Sequence, residues 1–268
     1  MHVCPLRVLF SPALTDVFLA EAKSFAGIDL IYGKNLVDLV WGSARPPRPK
    51  NPIFALDVKY TGADHASKLM RVRQELEKQK ARALVVAMLD EVAWLFNLRG
   101  ADIDFNPVFF GYAVVTTDTA ILFVDLEQVS QDVRTQLGQE VQLRPYDAFI
   151  PYLKELGAGL QVSFFLMPPS LILAHSMLPQ ADHKVLIGDK TSVAVAEAIG
   201  LSYITIARSP IADLKAIKNT TEVEGFRASH IRDGSALVRY FAWLEEQLKQ
   251  GVKLSESEGA DQLEKFRS

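Results

Sequence analysis

Short apolar runs alternate with amphipathic stretches along the middle of this chain, and that alternation restricts the fold more than any other feature. "ALVVAML", Ala83 to Leu89, is too short for a core helix and suits a buried strand. Ahead of it, the stretch from Asp64 to Lys80 places Leu69, Val72 and Leu76 on one helical face and charges elsewhere. After it, Asp90 and Glu91 put negative charge at the start of a short helix expected over Asp90 to Leu98, and Gly100 follows its end. "VFFGYAVVT" and "AILFVDL" flank the turn "TDT", so Val108 to Thr116 is expected to pair antiparallel with Ala120 to Asp125. Trp94, Leu95, Phe109 and Val114 are the expected core contributors of this region.

"LEQVSQDVRTQLG" reads as a helix closing on Gly138, "VQLRPY" as a strand, and "DAFIPYLKELGAG" as a helix capped by Asp147 and ended by glycine. "HKVLIGD", "TSVAVAEAIG" and "YITIA" then repeat strand, helix, strand. Strands interleaved with helices define an α/β layer structure. Upstream, Pro46, Pro47, Pro49 and Pro52 make a stiff connector and a boundary. Downstream of Ser209 the character turns helical. Thr221 and Glu224 have capping-box spacing ahead of a long helix on which Phe241, Leu244 and Leu248 keep helical spacing. Ser255 with Glu258 repeats the box. Helices without strands to pack on read as the opening of a further domain.

The net charge of -3 gives no reason to expect nucleic acid or an anionic membrane as partner. The single cysteine, Cys4, cannot form an internal disulfide, and the N-terminus lacks a basic region followed by an apolar stretch, so a cytoplasmic location is expected. One segment, Val162 to Gln180, contains no Asp, Glu, Lys or Arg. Pro168 and Pro169 near its middle, with Ser, His and Gln around them, argue against a membrane span.

Several residues invite a functional reading. His230 and Asp233 could share one face of a helix, but a metal site needs three or four convergent ligands. "LIGDKTS", Leu186 to Ser192, lacks the Gly-Lys pair and upstream glycine of a phosphate loop, and reads as a helix cap. Cys4 has no neighbouring pattern that would activate a thiolate, and His65, His175 and His183 stand alone. Arg99, Asp102 and Asp104 in "LRGADID" suit either a peptide contact from a loop or charge-assisted bonds tying the helix end to the hairpin.

Four stretches together carry a resemblance: "LDEVAWLFNLRGADIDFNPVFFGYAVV", "NLVDLVWGSARPPRP", "IGDKTSVAVAEAIG" and "SPIADLKAIKNTTEVEGFRASHIRDGSALVRYFAWLEEQL". They resemble the three-domain Xaa-Pro aminopeptidases (aminopeptidase P), creatinase-like metallopeptidases, and are nearest to fungal cytosolic members. The resemblance implies an α/β fold: a creatinase N-terminal-like domain, a mixed sheet flanked by helices, followed by the first helices of an incomplete α+β pita-bread domain. It divides the chain into the tail of a first creatinase-like domain over 1–45, a second over 46–207, and the start of a truncated catalytic domain over 208–268.

For activity, it implies a metallo-exopeptidase, a hydrolase removing the N-terminal residue from peptides with proline second. Two metal ions, manganese, are held in that family by two aspartates, a histidine and two glutamates of the pita-bread domain. No catalytic, cofactor-binding or metal-binding residue therefore carries over to this chain, which is expected to be inactive alone. A homodimer is implied for the complete enzyme. Because the family's chemistry lies in another domain, Arg99, Asp102 and Asp104 are expected to be structural. The alternative is a non-catalytic creatinase-like module for peptide or protein binding or for dimerisation. The apolar stretch 162–180 falls outside the resemblance and is either a retained intron translated in frame or an apolar lid.

Overall fold

The computed structural model describes the backbone of residues 6–10, 28–32, 36–165 and 184–268, and side chains within 37–160 and 184–268. The strands are β1 (Leu6–Phe10), β2 (Ile28–Tyr32), β3 (Phe54–Ala55), β4 (Ala81–Val86), β5 (Leu98–Arg99), β6 (Gly111–Thr116), β7 (Ala120–Val124), β8 (Val141–Pro145), β9 (Lys184–Gly188) and β10 (Ile204–Ala207). β1 and β2 pair in parallel, and β3 pairs with β5. The main sheet has the order β10-β9-β4-β6-β7-β8. It is mixed: β10, β9 and β4 run parallel, β6 is antiparallel to both β4 and β7, and β7 is parallel to β8.

Both faces of this sheet are covered, which explains why its inner strands read as near-continuous apolar runs, while the edge strands β8 and β10 keep exposed positions. Leu84 and Val86 face one cluster with Leu69, Val72 and Leu76 of the His65–Lys78 helix and Val92, Trp94 and Leu95 of the Leu89–Leu95 helix. Ala83 and Val85 face the other, with Phe149 and Leu153 of the Phe149–Phe165 helix and Val195, Ala196 and Ile199 of the Val193–Ile199 helix. Trp94, Leu95, Phe109 and Val114 are buried, as expected. The hairpin turn is closed by Thr116, whose backbone NH donates to the Thr119 carbonyl at 2.8 Å while its hydroxyl accepts from Thr119 N at 2.9 Å.

Several local expectations need correction. The short helix expected over Asp90 to Leu98 spans Leu89–Leu95, and Leu98 opens β5. The helix thought to end at glycine runs through Gly157 and Gly159 to Phe165. Gly157 serves close packing: a Cβ there would lie 2.1 Å from the Ile199 carbonyl oxygen. Asp147 does not cap this helix but sits in the 3-10 turn Tyr146–Ala148 before it. The long helix, Thr220–Lys249, starts one residue before Thr221: Asn219 accepts from Glu222 N at 2.9 Å and Glu222 accepts from Asn219 N at 2.9 Å. The second box, Ser255 with Glu258, forms where expected.

The chain forms two compact units, the first comprising Met1–Asp57 and Ala63–Ile217. The Pro210–Ala216 helix belongs to the first because Ile211 is fully buried in the main core. The proline-rich connector also belongs to it: Ile53 bridges Val129, Lys50 pairs with Asp125 at 2.7 Å, and the Arg48 guanidinium lies 3.9 Å over the Tyr146 ring. The second unit comprises Val58–Gly62 and Lys218–Ser268. Within it, Asn219 Nδ2 donates to the Thr61 carbonyl at 2.8 Å, and Arg267 pairs with Asp233 at 2.7 Å. Ile231, Val238, Phe241 and Leu248 of its long helix are exposed. The expected first domain over 1–45 falls largely outside the described residues, as do residues 166–183, which include most of the apolar stretch.

Candidate functional site

The stretch from Leu89 to Val115 is built around buried polar groups that bond to one another and to backbone, although the buried Trp94 indole NH finds no hydrogen-bond partner. Lys68 is 2% exposed, and its ammonium donates to the Trp94 carbonyl at 2.9 Å and to Asn97 Oδ1 at 2.6 Å. It also lies 4.2 Å from the centre of the Trp94 ring. Asn97 adopts a left-handed backbone (φ 53) that turns the chain from the helix into β5, and its amide donates to the Ala63 carbonyl at 2.8 Å. Arg99 donates to the carbonyls of Ala93 at 3.0 Å and Leu98 at 2.8 Å, holding the end of the helix.

Asp102 is buried and accepts from three directions: Asn51 N at 2.9 Å, Phe110 N at 3.0 Å and Gln128 Nε2 at 3.1 Å. It thereby joins the connector, the start of the hairpin and the turn after β7. Asp104 is not brought into this network; it is exposed beside Phe105, which is 96% exposed with φ 62. Sequence reading missed Lys68, Asn51 and Gln128, because their partners lie 26 to 77 positions away.

The other candidates disperse. His230 bonds through Nδ1 to the Phe226 carbonyl of its own helix at 2.8 Å, and Asp233 is taken by Arg267. His65 begins its helix with Nε2 4.0 Å from Glu140. Cys4, His175 and His183 lie outside the described residues. Among the described residues no group of three or more His, Cys, Asp or Glu could hold a metal ion, so the two-metal chemistry does not fit them. No described helix is long and apolar enough to cross a membrane.

"LIGDKTS" turns from β9 into the Val193–Ile199 helix with Ser192 at the cap position, though its side chain makes no capping bond. This turn lines a cavity of about 250 Å³ at the carboxyl ends of β4, β9 and β10. Glu91, 6% exposed, forms part of the wall and accepts from the Ser209 hydroxyl at 2.7 Å. Burial pushes its carboxyl above the usual range, the Ser209 bond opposing this. Lys215 pairs with Asp90, and Arg208 with Asp213 at 2.8 Å.

A buried mixed sheet with these two helical layers is the architecture of a creatinase-type N-terminal domain, and residues 44–222 match the family model described as the creatinase/prolidase N-terminal domain. The chain belongs to that family. Among curated relatives, a probable Xaa-Pro aminopeptidase P of Laccaria bicolor is 56% identical over 88% of this chain and 34% of its own length. Another of that name, from Neurospora crassa, is 48% identical over 97% of this chain and 37% of its own. The chain also superposes on an X-prolyl aminopeptidase from Caenorhabditis elegans with a TM-score of 0.84 and 28% identity, over 97% of this chain and 40% of that one. That structure is described as a cytosolic enzyme with a di-nuclear active site. The chain thus spans between a third and two fifths of the length of these relatives.

Proposed function

We propose that this chain is the creatinase-like N-terminal portion of an Xaa-Pro aminopeptidase, and that its residues support the reaction rather than perform it. The observation that carries the reading is the 56% identity to a probable Xaa-Pro aminopeptidase P over most of the chain. In this reading the complete enzyme removes the N-terminal residue from peptides with proline second. It works with two metal ions, manganese, as a cytoplasmic homodimer, without nucleic acid or membrane as partner. The di-nuclear site and cytosolic setting of the Caenorhabditis elegans relative support the metal count and the compartment. Arg99 and Asp102, each bonded to backbone, act as structural ties. No step of metal chemistry is assigned to the described residues, which offer no convergent ligand set.

Purified 1–268 assayed on an Xaa-Pro-Xaa peptide with added manganese should release no N-terminal residue above buffer. Chelator-sensitive turnover would show that the chain has a catalytic centre of its own and overturn the scaffold role.

A further inference from the structure

The main sheet switches the side of its connections between β4 and β9, as it also does between β7 and β8. β4 leads into the Leu89–Leu95 helix, which packs in the cluster of Leu84 and Val86. Its parallel neighbour β9 leads into the Val193–Ile199 helix, which packs in the cluster of Ala83 and Val85 on the opposite face. Adjacent parallel strands whose connections leave on opposite faces cannot close over their carboxyl ends. A crevice remains there, and open α/β sheets use it for ligands. The cavity of about 250 Å³ occupies this place. Of the two such places in the sheet, this is the one where a cavity lies at the carboxyl ends of three parallel strands.

We propose that this crevice binds a small zwitterion, a free amino acid or a dipeptide. Its wall carries both signs of charge. Two of the cations are already engaged, Lys215 with Asp90 and Arg208 with Asp213. Asp189 and Lys190 are different: they stand side by side on the turn after β9, both exposed, and neither forms an ion pair among the described residues. A ligand with one positive and one negative end satisfies both. A simple anion would gain Lys190 but face Asp189 and Asp90, and the turn lacks the glycine-rich amide cradle that phosphate requires. Val85, Ala87, Met88 and Ala212 give a partly apolar lining. A volume below that of drug-sized pockets suits one or two residues.

Nitrogen-15 spectra of the full 268-residue chain, titrated with L-valine, L-valinamide, N-acetyl-L-valine and inorganic phosphate, test the proposal. L-Valine should shift the amides of Gly188 to Thr191 and Ser209 saturably. The two half-charged analogues and phosphate should bind about tenfold more weakly or worse. Asp189→Asn with Lys190→Gln should reduce the valine response about tenfold while leaving amide dispersion elsewhere unchanged. Both positions are exposed, and Lys190→Gln alone provides a second, milder variant that should weaken N-acetyl-L-valine as well. The proposal is overturned if no amide of the turn shifts at about 20 mM valine. Equal or tighter binding of the anion or phosphate, or an unchanged response in folded variants, overturns it too. Because binding is read on this chain directly, its failure leaves the aminopeptidase reading untouched.

Discussion

Asp102 and Asp104 share a charge and a neighbourhood, yet their contexts set them apart. Removing the Asp102 carboxylate strands three donors, on Asn51, Phe110 and Gln128. Each buried unsatisfied group costs about 1–3 kcal/mol, so Asp102→Ala should lose about 3 kcal/mol or more in urea unfolding. Asp104→Ala, at an exposed site, should stay within about 0.5 kcal/mol. Equal losses would show that the network is not what holds the loop. Glu91 makes a pH prediction. Its folded pKa is raised by burial, so the folded state favours the proton, and stability is lost as pH rises through and above the carboxylate range. Lys215 opposes the shift while Asp90 and Asp189 reinforce it. Glu91→Gln keeps an acceptor for Ser209 without titrating. Its stability relative to the parent should therefore be higher at pH 7 than at pH 4; the reverse trend in paired melts would contradict the assignment.

At the scale of elements, every strand of the main sheet was legible: β4, β7 and β9 as apolar runs buried on both faces, and the edge strands β8 and β10 as shorter runs broken by polar positions. What the sequence hid was long-range. Gly157 looks like a helix stop when its own helix is considered, and becomes a packing requirement only once Ile199 is placed against it. Gly157→Ala should accordingly destabilise by about 1–3 kcal/mol, since something must shift to admit the methyl group. Gly159→Ala meets open space and should gain up to about 1 kcal/mol from helix propensity. If both substitutions behave alike in thermal melts, propensity and not packing governs this helix. Thr221 shows a similar limit: an N-x-x-E pattern and a T-x-x-E pattern overlap two residues apart, and only Asn219 also reaches the Thr61 carbonyl. The uncharged stretch 162–180 extends this helix at least to Phe165. Deleting 162–180 should shorten the link to β9, raise solubility by removing an apolar segment, and leave the sheet's spectrum intact. Lost cooperativity of unfolding on deletion would instead favour a lid packed on the fold.

The candidate site as a whole was readable in outline only. Residue types and spacing excluded a phosphate loop and left a metal at His230 and Asp233 short of ligands. The crevice beside "LIGDKTS", by contrast, exists because β4 and β9 become neighbours with helices on opposite faces, and no local pattern encodes that. The central claim concerns the whole molecule: these 268 residues can serve as the N-terminal portion of an Xaa-Pro aminopeptidase. The most direct measurement replaces the aligned region of the Laccaria bicolor relative with this chain, lacking 162–180, and assays the folded chimera on Xaa-Pro-Xaa peptides. At 56% identity the interfaces with the rest of that protein should be largely preserved. The chimera should retain cleavage within about tenfold of the parent in kcat/KM, a loss of about 1.4 kcal/mol or less in transition-state stabilisation. A folded chimera that binds metal and peptide but does not cleave would contradict the account.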